Sequence, residues 1–350
     1  MRRATWRVDG AIVAGAWHSG CVDEPVVLVI DGNSLVHRSY HSMASSEQPR
    51  WAVRGLLTQL VAAVDRVRPT AVVVGFDDPC RSLRRERWPG WPCTRASLVE
   101  QLACAVEVMR DLGLAVVVPD GLEADDVSAS VAAFTRALGG RTVIATSDRD
   151  AFALIDERTS VLRIISGGVE ASPTMTPERL VMLLGVTPAQ YRDYAALRGD
   201  PSDNLPGVRG VGPRTAARLL AEFGSAASAF DDLDAVGDRL GAGVAGRLAH
   251  PEARAAWELN CQVMAMHHDV PLGLDVTAGA GVLPLPVAVV DAVFQAQNLV
   301  WSAAKAAQIL AGADLPPRPV AEQWVASAPP RPAMRRLPVR VPVSDQLALF

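Results

Sequence analysis

The chain has 350 residues, a formal net charge of −4 and an isoelectric point near 5.9. This length allows two domains, and the weakly acidic balance does not by itself indicate a nucleic-acid-binding protein. No segment of the sequence is long and apolar enough to span a membrane, so we expect no membrane association. A further expectation is that the protein is a monomer.

The cysteines and histidines give no sign of a zinc site. The five cysteines are odd in number and lack metal-ligand spacing, which favours reduced thiols. Four histidines also lack that spacing, and we interpret them as ordinary polar residues: His37, His41, His267 and His268. The sequence therefore predicts a cytoplasmic protein without structural zinc.

In chain order, residues 1–24 are interpreted as a flexible extension outside the fold. Apolar runs then alternate with stretches whose apolar residues recur at three- and four-residue spacing. The runs are 26–30, 71–75, 115–118, 142–145 and 161–165, and the helical stretches between them are 55–67, 97–112 and 125–138. This alternation predicts a doubly wound, mostly parallel α/β domain over residues 25–175.

Beyond residue 175 the pattern becomes helical. Residues 176–184, 188–197, 213–223 and 253–266 favour helices without intervening strands. We therefore expect a helical subdomain over 176–275 and a further helical segment at 276–311. Residues 312–345 are rich in proline and arginine, which predicts a disordered linker, and residues 346–350 are apolar again.

Carboxylates stand in five short clusters, three of which directly follow apolar runs. In a parallel sheet, ligands bind beyond the carboxyl ends of the strands, so these side chains should converge on one crevice. Crowded carboxylates favour a neutralising cation, and hard oxygen ligands without Cys or His indicate Mg²⁺ or Mn²⁺. Singly, each cluster could instead cap a helix or face solvent. The nine members are Asp31, Asp77, Glu123, Asp125, Asp126, Asp148, Asp150, Asp200 and Asp203.

Two further stretches suit phosphate binding. Residues 207–216 hold three glycines and Pro213, which favours a tight loop leading into a helix whose free N–H groups donate hydrogen bonds to a phosphate. Residues 81–95 interleave five arginines with Trp88 and Trp91, a composition suited to single strands. The alternative for the second stretch is a mobile basic surface loop. Pro89, Gly90 and Pro92 make a regular helix unfavourable there.

The clusters together resemble the 5′-nuclease family, which comprises the 5′→3′ exonuclease domain of bacterial family-A DNA polymerases and the flap endonucleases. The matching motifs are Asp31-Gly32, Phe76-Asp77, Glu123-Ala124-Asp125-Asp126, Asp148-x-Asp150 and Gly199-Asp200-Pro201-Ser202-Asp203-Asn204. The similarity extends from residue 26 to about residue 272. It implies a PIN-like nuclease core with a helix–three-turn–helix. No polymerase domain follows, so we expect a stand-alone nuclease.

The resemblance also implies roles for individual residues. Asp31, Asp77, Glu123, Asp125 and Asp126 would hold one metal ion, directly or through water, and Asp148, Asp150, Asp200 and Asp203 a second. Two cations roughly 4 Å apart can activate a water, clamp a phosphate and stabilise the leaving oxygen. The glycine-rich loop would grip duplex DNA, with a bound K⁺. The implied DNA-binding residues are Arg38, Arg81, Arg84, Arg85, Arg87, Arg95, Gly207, Arg209, Gly210, Gly212, Arg214, Thr215 and Arg218.

The sequence departs from the family in the basic stretch, which corresponds to the helical arch. Relatives place a lysine directly after an aromatic residue, where this chain has Trp91-Pro92. The expected activity is divalent-metal-dependent 5′→3′ exonuclease or 5′-flap endonuclease action on DNA in replication or repair. The alternatives are a ribonuclease of related fold, which would lack the glycine-rich motif, and a weakly catalytic DNA-junction binder.

The last five residues resemble the short peptide with which bacterial replication and repair proteins bind the sliding clamp. Leu347, Leu349 and Phe350 would fill an apolar pocket, and Gln346 would supply a polar anchor. The preceding linker would hold this peptide away from the nuclease. An accidental apolar end of a frayed tail is the alternative.

Overall fold

The protein is described by a computed structural model that covers residues 24–42 and 50–313, together with two short strands nearer the N-terminus. The strands are β1 (Trp6–Val8), β2 (Ala11–Val13), β3 (Val26–Asp31), β4 (Ala71–Gly75), β5 (Ala115–Val117), β6 (Arg141–Thr146), β7 (Thr159–Arg163), β8 (Thr174–Met175), β9 (Gly199–Asp200) and β10 (Leu205–Pro206). The helices are α1 (Gly32–Ser42), α2 (Trp51–Val67), α3 (Leu83–Arg87), α4 (Ala96–Asp111), α5 (Ala124–Ala137), α6 (Gly168–Ala171), α7 (Pro177–Leu184), α8 (Pro188–Arg198), α9 (Pro213–Phe223), α10 (Ala226–Asp231), α11 (Leu233–Leu240), α12 (Ala242–Leu248), α13 (Ala253–Val263), α14 (Val287–Ala296) and α15 (Val300–Ala311), with a 3₁₀ turn at Asp150–Leu154.

A six-stranded sheet in the order β5-β4-β3-β6-β7-β8 forms the centre of the first domain. The first five of these strands are parallel, and β8 pairs antiparallel with β7. Chain order reverses at β3, because β4 and β6 lie on its two sides. The predicted doubly wound, mostly parallel α/β core is therefore confirmed.

Alternate residues of β3 enter two separate cores. Val27 and Val29 pack in one cluster with residues of α5, whereas Leu28 and Ile30 pack in a second cluster with α1, α2 and α4. All four side chains are completely buried. Because successive side chains of a strand point to opposite faces, a strand that is apolar at every position needs helices on both sides of its sheet.

Helices α7–α13 form the helical part that the sequence predicts after the sheet. The structure adds α10, α11 and α12, where the periodicity predicts no helix. Thr176 caps α7 by accepting a hydrogen bond from the Arg179 amide, and Pro177 occupies the first turn. The buried Asn260 amide of α13 donates to the carbonyls of Ala196 and Pro206, each at 2.9 Å. This side chain joins α13 to α8 and to β10.

The C-terminal helical segment returns to the α/β domain. Leu283 donates its amide to the Thr70 carbonyl (3.0 Å), and Val72 donates to Gly281 (2.9 Å), so the chain runs beside β4. Phe294 and Leu310 are fully buried in the core beneath α2 and α4. The sequence does not reveal the role of residues 276–311; in the structure, the part from Leu285 to Leu310 completes the second core, whereas Val276 packs in the first.

The remaining predicted segments contribute little to the described structure. The N-terminal extension supplies the antiparallel pair β1–β2. Residues 314–350, with most of the predicted linker and the whole peptide 346–350, lie outside the described residues. Within the described part of the chain, no helix is both long and apolar enough to cross a lipid bilayer.

Candidate metal and nucleic-acid site

The carboxyl edge of the sheet borders a crevice of about 890 Å³. It lies where strand order reverses, the position at which doubly wound sheets bind ligands. The elements that follow β3, β4 and β6 all reach it, together with the first turn of α5 and the turn after β9. Seven of the nine predicted carboxylates line this crevice: Asp31, Asp77, Glu123, Asp125, Asp148, Asp200 and Asp203.

Hydrogen bonds fix the carboxylates of the first two strands. Asp31 accepts from the Ser34 amide (2.9 Å) and from the Thr146 hydroxyl (2.7 Å), so it joins α1 to the end of β6. Asp77 accepts from the side-chain amide of Asn33 and from the Ala124 amide at 2.9 Å. Each carboxylate thus accepts a hydrogen bond from a residue outside its own strand and the segment that follows it: Thr146 of β6 for Asp31, and Asn33 of α1 for Asp77. Asn33 and Thr146 position two of the predicted site residues and were not identified from the sequence.

The other two predicted ligands do not line the crevice. Asp126 uses its oxygens as acceptors for the Glu123 and His267 amides, at 3.0 and 2.7 Å, which stabilises the start of α5. Asp150 is 6% exposed and begins the 3₁₀ turn behind the crevice wall. The role of Asp126 as a metal ligand, directly or through water, stays a prediction, and in the structure its side chain caps α5 while Asp125 lines the crevice. The cause is geometric, because adjacent residues of a helical turn point in different directions.

Burial raises the pKa of several crevice carboxylates. It raises the pKa of Asp31 to about 7 and that of Asp203 to about 7, and neighbouring carboxylates add to the effect. Burial, followed by repulsion from Glu123, raises the pKa of Asp77 well above its ordinary value. Such sites favour either protons or cations, because several anions share a poorly solvated space.

One cation from the protein already lies among the acids. The Arg84 guanidinium pairs with Glu123 at 3.0 Å and with Asp125 at 2.5 Å. It also lies over the Trp91 ring, 5.5 Å from the centroid. Arg84 is 9% exposed and neutralises two carboxylates inside the crevice, whereas the resemblance implies that it contacts DNA.

The residues fit a hard divalent cation. Asp125 Oδ1 and Asp150 Oδ1 are buried and have no hydrogen-bond partner among the described residues. Buried carboxylate oxygens are costly without a partner, and a cation can supply one. Within residues 24–42 and 50–313, however, no three acidic, histidine or cysteine side chains already stand in the geometry of a metal cage. The acids surround the crevice, and two of them are engaged by Arg84.

The basic stretch after β4 forms the short helix α3 and then an irregular loop. Trp91, Pro92, Cys93 and Thr94 line the crevice, so the position where relatives carry lysine does face the acids. The sequence predicts that a regular helix is unfavourable over 81–95, but α3 forms at Leu83–Arg87, and only residues 88–95, which contain Pro89, Gly90 and Pro92, are without helix. The other arginines stand outside the crevice: Arg81 pairs with Glu86, Arg85 donates to the Pro92 carbonyl, Arg87 donates to the Gln262 carbonyl, and Arg95 is exposed before α4.

The glycine-rich motif forms the predicted loop and helix start. A Cβ atom at Gly207 would lie 2.2 Å from the Arg198 carbonyl, so only glycine allows this close backbone approach. Pro213 opens α9 directly after Gly212, as the sequence predicts. Arg209, Arg214 and Arg218 are exposed and Thr215 is partly exposed, and Gly210 has a positive φ of 79°. The Arg247 side chain of α12 lies against Gly210 and adds a basic group that the sequence did not single out.

Further crevice residues were not apparent from the sequence. His37 and His41 line it beside Arg38, whose guanidinium donates to the Ile165 carbonyl at 2.5 Å. Burial lowers the pKa of His37. Three more arginines complete the lining: Arg149, Arg163 and Arg198. Arg198 follows no recognisable motif, and the signal for Arg149 and Arg163 is only their position beside strand ends.

A parallel sheet with a carboxylate-lined edge, joined to a helical part with a glycine-rich loop, is the architecture of a 5′-nuclease. The chain belongs to the 5′-3′ exonuclease family. The model of the N-terminal, resolvase-like domain of that family matches residues 26–185, and the model of its C-terminal SAM fold matches residues 186–281.

Curated relatives include DNA polymerase I of Mycobacterium bovis, 36% identical over 236 residues, which are 65% of this chain and 26% of that protein. Thermostable DNA polymerase I of Thermus thermophilus is 36% identical over 257 residues, 71% of this chain and 29% of the polymerase. The chain therefore matches little more than a quarter of the length of these relatives.

Two solved structures share the fold. The T5 5′-exonuclease with bound divalent zinc superposes with a TM-score of 0.55 at 17% identity, covering 81% of this chain and 93% of that chain. The catalytic core of Rad2 in complex with a DNA substrate has a TM-score of 0.54 at 16% identity, covering 82% and 92%.

Proposed function

We propose that the protein is a divalent-metal-dependent nuclease that hydrolyses DNA phosphodiesters near a 5′ end or at the base of a 5′ flap. The observation that carries this proposal is the convergence of seven carboxylates on one crevice at the sheet edge. Family membership agrees with it, and the related T5 5′-exonuclease has been described with divalent metal ions. The product would carry a 5′-phosphate.

Two groups of acids would hold the metal ions, which we take to be Mg²⁺ or Mn²⁺. Asp31, Asp77, Glu123 and Asp125 form one group, and Asp148, Asp200 and Asp203 form the other, with Asp150 beneath it. When bound, the ions supply a nucleophilic water and stabilise the charge of the transition state. Asp126 would act through α5, because its oxygens are engaged by backbone amides.

The protein's own residues would align these acids and the substrate. Asn33 holds Asp77, and Thr146 holds Asp31, so two ligands are fixed before substrate arrives. Such fixed orientation removes a reorganisation cost from the reaction. Arg38, at the crevice wall, would contact the scissile phosphate. Trp91 would offer a stacking surface for an unpaired base.

Duplex DNA would bind through the glycine-rich loop and α9. Arg209, Arg214 and Arg218 are exposed there, and the free amides at the start of α9 can donate hydrogen bonds to a phosphate, with K⁺ as an additional bridge. Contacts of this kind carry no sequence information. The reported DNA complex of the Rad2 catalytic core agrees with nucleic acid as the ligand class.

A labelled 5′-flap substrate tests the proposal. We expect cleavage with Mg²⁺ or Mn²⁺ and none in a chelator, with release of a 5′-phosphate product. A matched RNA flap distinguishes a ribonuclease. Metal-independent binding of the junction without any cleavage would identify a junction-binding protein and overturn the proposal.

We also propose a cytoplasmic, monomeric enzyme of DNA replication or repair, recruited through its last residues. Gln346, Leu347, Leu349 and Phe350 would bind a bacterial sliding clamp, at the end of the proline-rich segment. Tethering of this kind raises the local concentration of an enzyme at its substrate without a large interface. The support is the sequence motif alone, since these residues lie outside the described structure.

A further inference from the structure

The charge of the sheet edge changes sign between two neighbouring strands. Thr146, the last residue of β6, holds Asp31 and is followed closely by Asp148. In the strand register its partner on β7 is Arg163, the last residue of that strand. Arg149 stands directly after Asp148 and lines the same crevice as Arg163. Acids therefore occupy the edge from β4 to β6, and arginines occupy it beside β7.

The two arginines are held in the crevice without a counter-ion. In the part of the chain that the structure describes, neither guanidinium has a hydrogen-bond acceptor or an acidic group within ion-pair distance. Both side chains are partly buried, and Arg163 Nε is fully buried without a partner. Burial and the like charge of Arg149 lower the pKa of Arg163. Two unpaired guanidinium groups in a crevice are stabilised by an anion, and planar guanidinium suits phosphate.

We propose that Arg149 and Arg163 form a subsite for the nucleic-acid phosphate next to the scissile one. This inference rests on the proposed nuclease function. β6 and β7 are paired neighbours, and neighbouring strands lie about 4.8 Å apart, so the arginines beside β7 stand within about one nucleotide of the acids beyond β6. The subsite orients the strand across the sheet edge.

Substrates with one neutral methylphosphonate test the subsite directly. One substrate carries it on the 5′ side of the scissile phosphate, a second carries it on the 3′ side, and a third has a 5′-hydroxyl terminus. The proteins are wild type, Arg163→Gln, Arg163→Lys and Arg179→Gln. Arg179 is exposed on α7 outside the crevice, so its variant removes the same charge elsewhere.

We expect one of the neutral substitutions to raise KM of the wild type by about tenfold, as the loss of one charge-assisted hydrogen bond does. With unmodified DNA, KM of Arg163→Gln should exceed KM of the wild type by the same factor. The methylphosphonate that raises KM of the wild type should not raise KM of Arg163→Gln any further. Arg163→Lys should recover part of the loss, and Arg179→Gln should behave as wild type. If KM of the wild type rises only for the substrate with a 5′-hydroxyl, the phosphate bound by Arg149 and Arg163 is the terminal 5′-phosphate of the strand.

Equal responses of wild type and Arg163→Gln to every modified substrate would overturn the subsite while leaving the nuclease proposal intact. Thermal melting of each variant identifies loss of folding. If the wild type does not cleave DNA, the nuclease proposal fails first. Binding of the same oligonucleotides is then measured by fluorescence anisotropy in a chelator at several salt concentrations. If the subsite exists, Arg163→Gln should lower the slope of log K against log salt concentration by about one for unmodified DNA and leave it unchanged for the modified substrate.

Discussion

Arg84 Nη2 lies 2.5 Å from Asp125 Oδ2, so an arginine of the basic stretch after β4 is bound to an acid in the first turn of α5. The same guanidinium pairs with Glu123 and lies over Trp91. One side chain thus links the acids to the loop that lines the other side of the crevice. A divalent cation that takes Asp125 and Glu123 as ligands has to compete with this arginine.

Replacement of Arg84 should therefore destabilise the metal-free protein more than the metal-bound protein. We expect Arg84→Met to lower the free energy of unfolding in a chelator by about 3 kcal/mol, because it leaves buried acids without a counter-ion. Mg²⁺ should restore most of the loss and should bind more tightly than to wild type. Denaturant unfolding and calorimetric Mg²⁺ titration measure both effects. Arg85→Met is the control, and an equal loss with and without Mg²⁺ would contradict this explanation.

Removal of a crevice acid should abolish cleavage without abolishing DNA binding. Asp31→Asn and Asp125→Asn should each reduce the cleavage rate by a factor on the order of 100 or more, because metal activation of water supplies much of the acceleration. Single-turnover kinetics and anisotropy binding are the measurements. Asp111→Asn, at the exposed end of α4, serves as the control. Near-normal rates for both crevice variants would falsify the assignment.

The raised carboxylate pKa values predict an inverse pH dependence of stability for the metal-free protein. Burial raises the pKa of Asp31 and that of Asp203 to about 7 in the folded protein, from an ordinary value of 3.8. Between about pH 4 and 7 the folded state then binds more protons than the unfolded state, so the free energy of unfolding falls as pH rises. Metal ions bind the deprotonated acids and should reverse this trend.

Thermal melting at about pH 5 and pH 8, with chelator and with Mg²⁺, checks the sign. The gain in Tm from Mg²⁺ should be larger at the higher pH. Asp31→Asn should flatten the dependence in the chelator, because it removes one of the titrating groups. A metal-free protein that melts at a higher temperature at pH 8 than at pH 5 would show that these pKa values are not raised.

Introduction of the missing lysine should raise activity. Pro92 lines the crevice at the position where relatives carry lysine, so Pro92→Lys would place a cation where the scissile phosphate is expected. We expect single-turnover flap cleavage to increase severalfold. Pro89→Lys adds the same charge to an exposed position of the same loop outside the crevice. Equal effects of both variants would point to general electrostatic attraction instead.

Truncation after Ser344 should abolish binding to a bacterial sliding clamp while leaving flap cleavage in the absence of the clamp unchanged. Leu347 and Phe350 supply apolar contacts in the proposed peptide, so Leu347→Ala with Phe350→Ala should reproduce the truncation. Calorimetric titration of the clamp measures the affinity. Full-length protein that binds no better than the truncated protein would exclude this role for the C-terminus.

The sequence predicts the sheet and most of the site because both depend on local patterns. Runs such as 26–30 are apolar at every position, and acids placed directly after them must reach the carboxyl edge. The positions of Asp126 and Arg84 could not be predicted from such local patterns. Asp126 shares a motif with Asp125, but the helical turn directs it to backbone amides. The inward position of Arg84 depends on pairing across the crevice, which no local pattern encodes.

Longer-range packing is equally hard to predict. The apolar pattern of α14 and α15 predicts helices but does not indicate what they pack against. Their place beneath α2 is evident only from Phe294 and Leu310, which lie in the same core. Arg163 has no motif around it. Its position follows from the register of β7 against β6, which depends on pairing between segments that are separate in sequence.

The hydrogen bonds of α5 to the segment after α13 have a mechanical consequence. Asp126 accepts from the His267 amide, and Ser130 accepts from the Val270 amide at 3.0 Å, so the helix that carries Glu123 and Asp125 is joined to the helical part. These bonds restrict movement of the helical part, which carries the glycine-rich loop proposed to bind duplex DNA, relative to the crevice. We expect the enzyme to measure its cleavage point as a set length from the end of the duplex, whatever the base sequence.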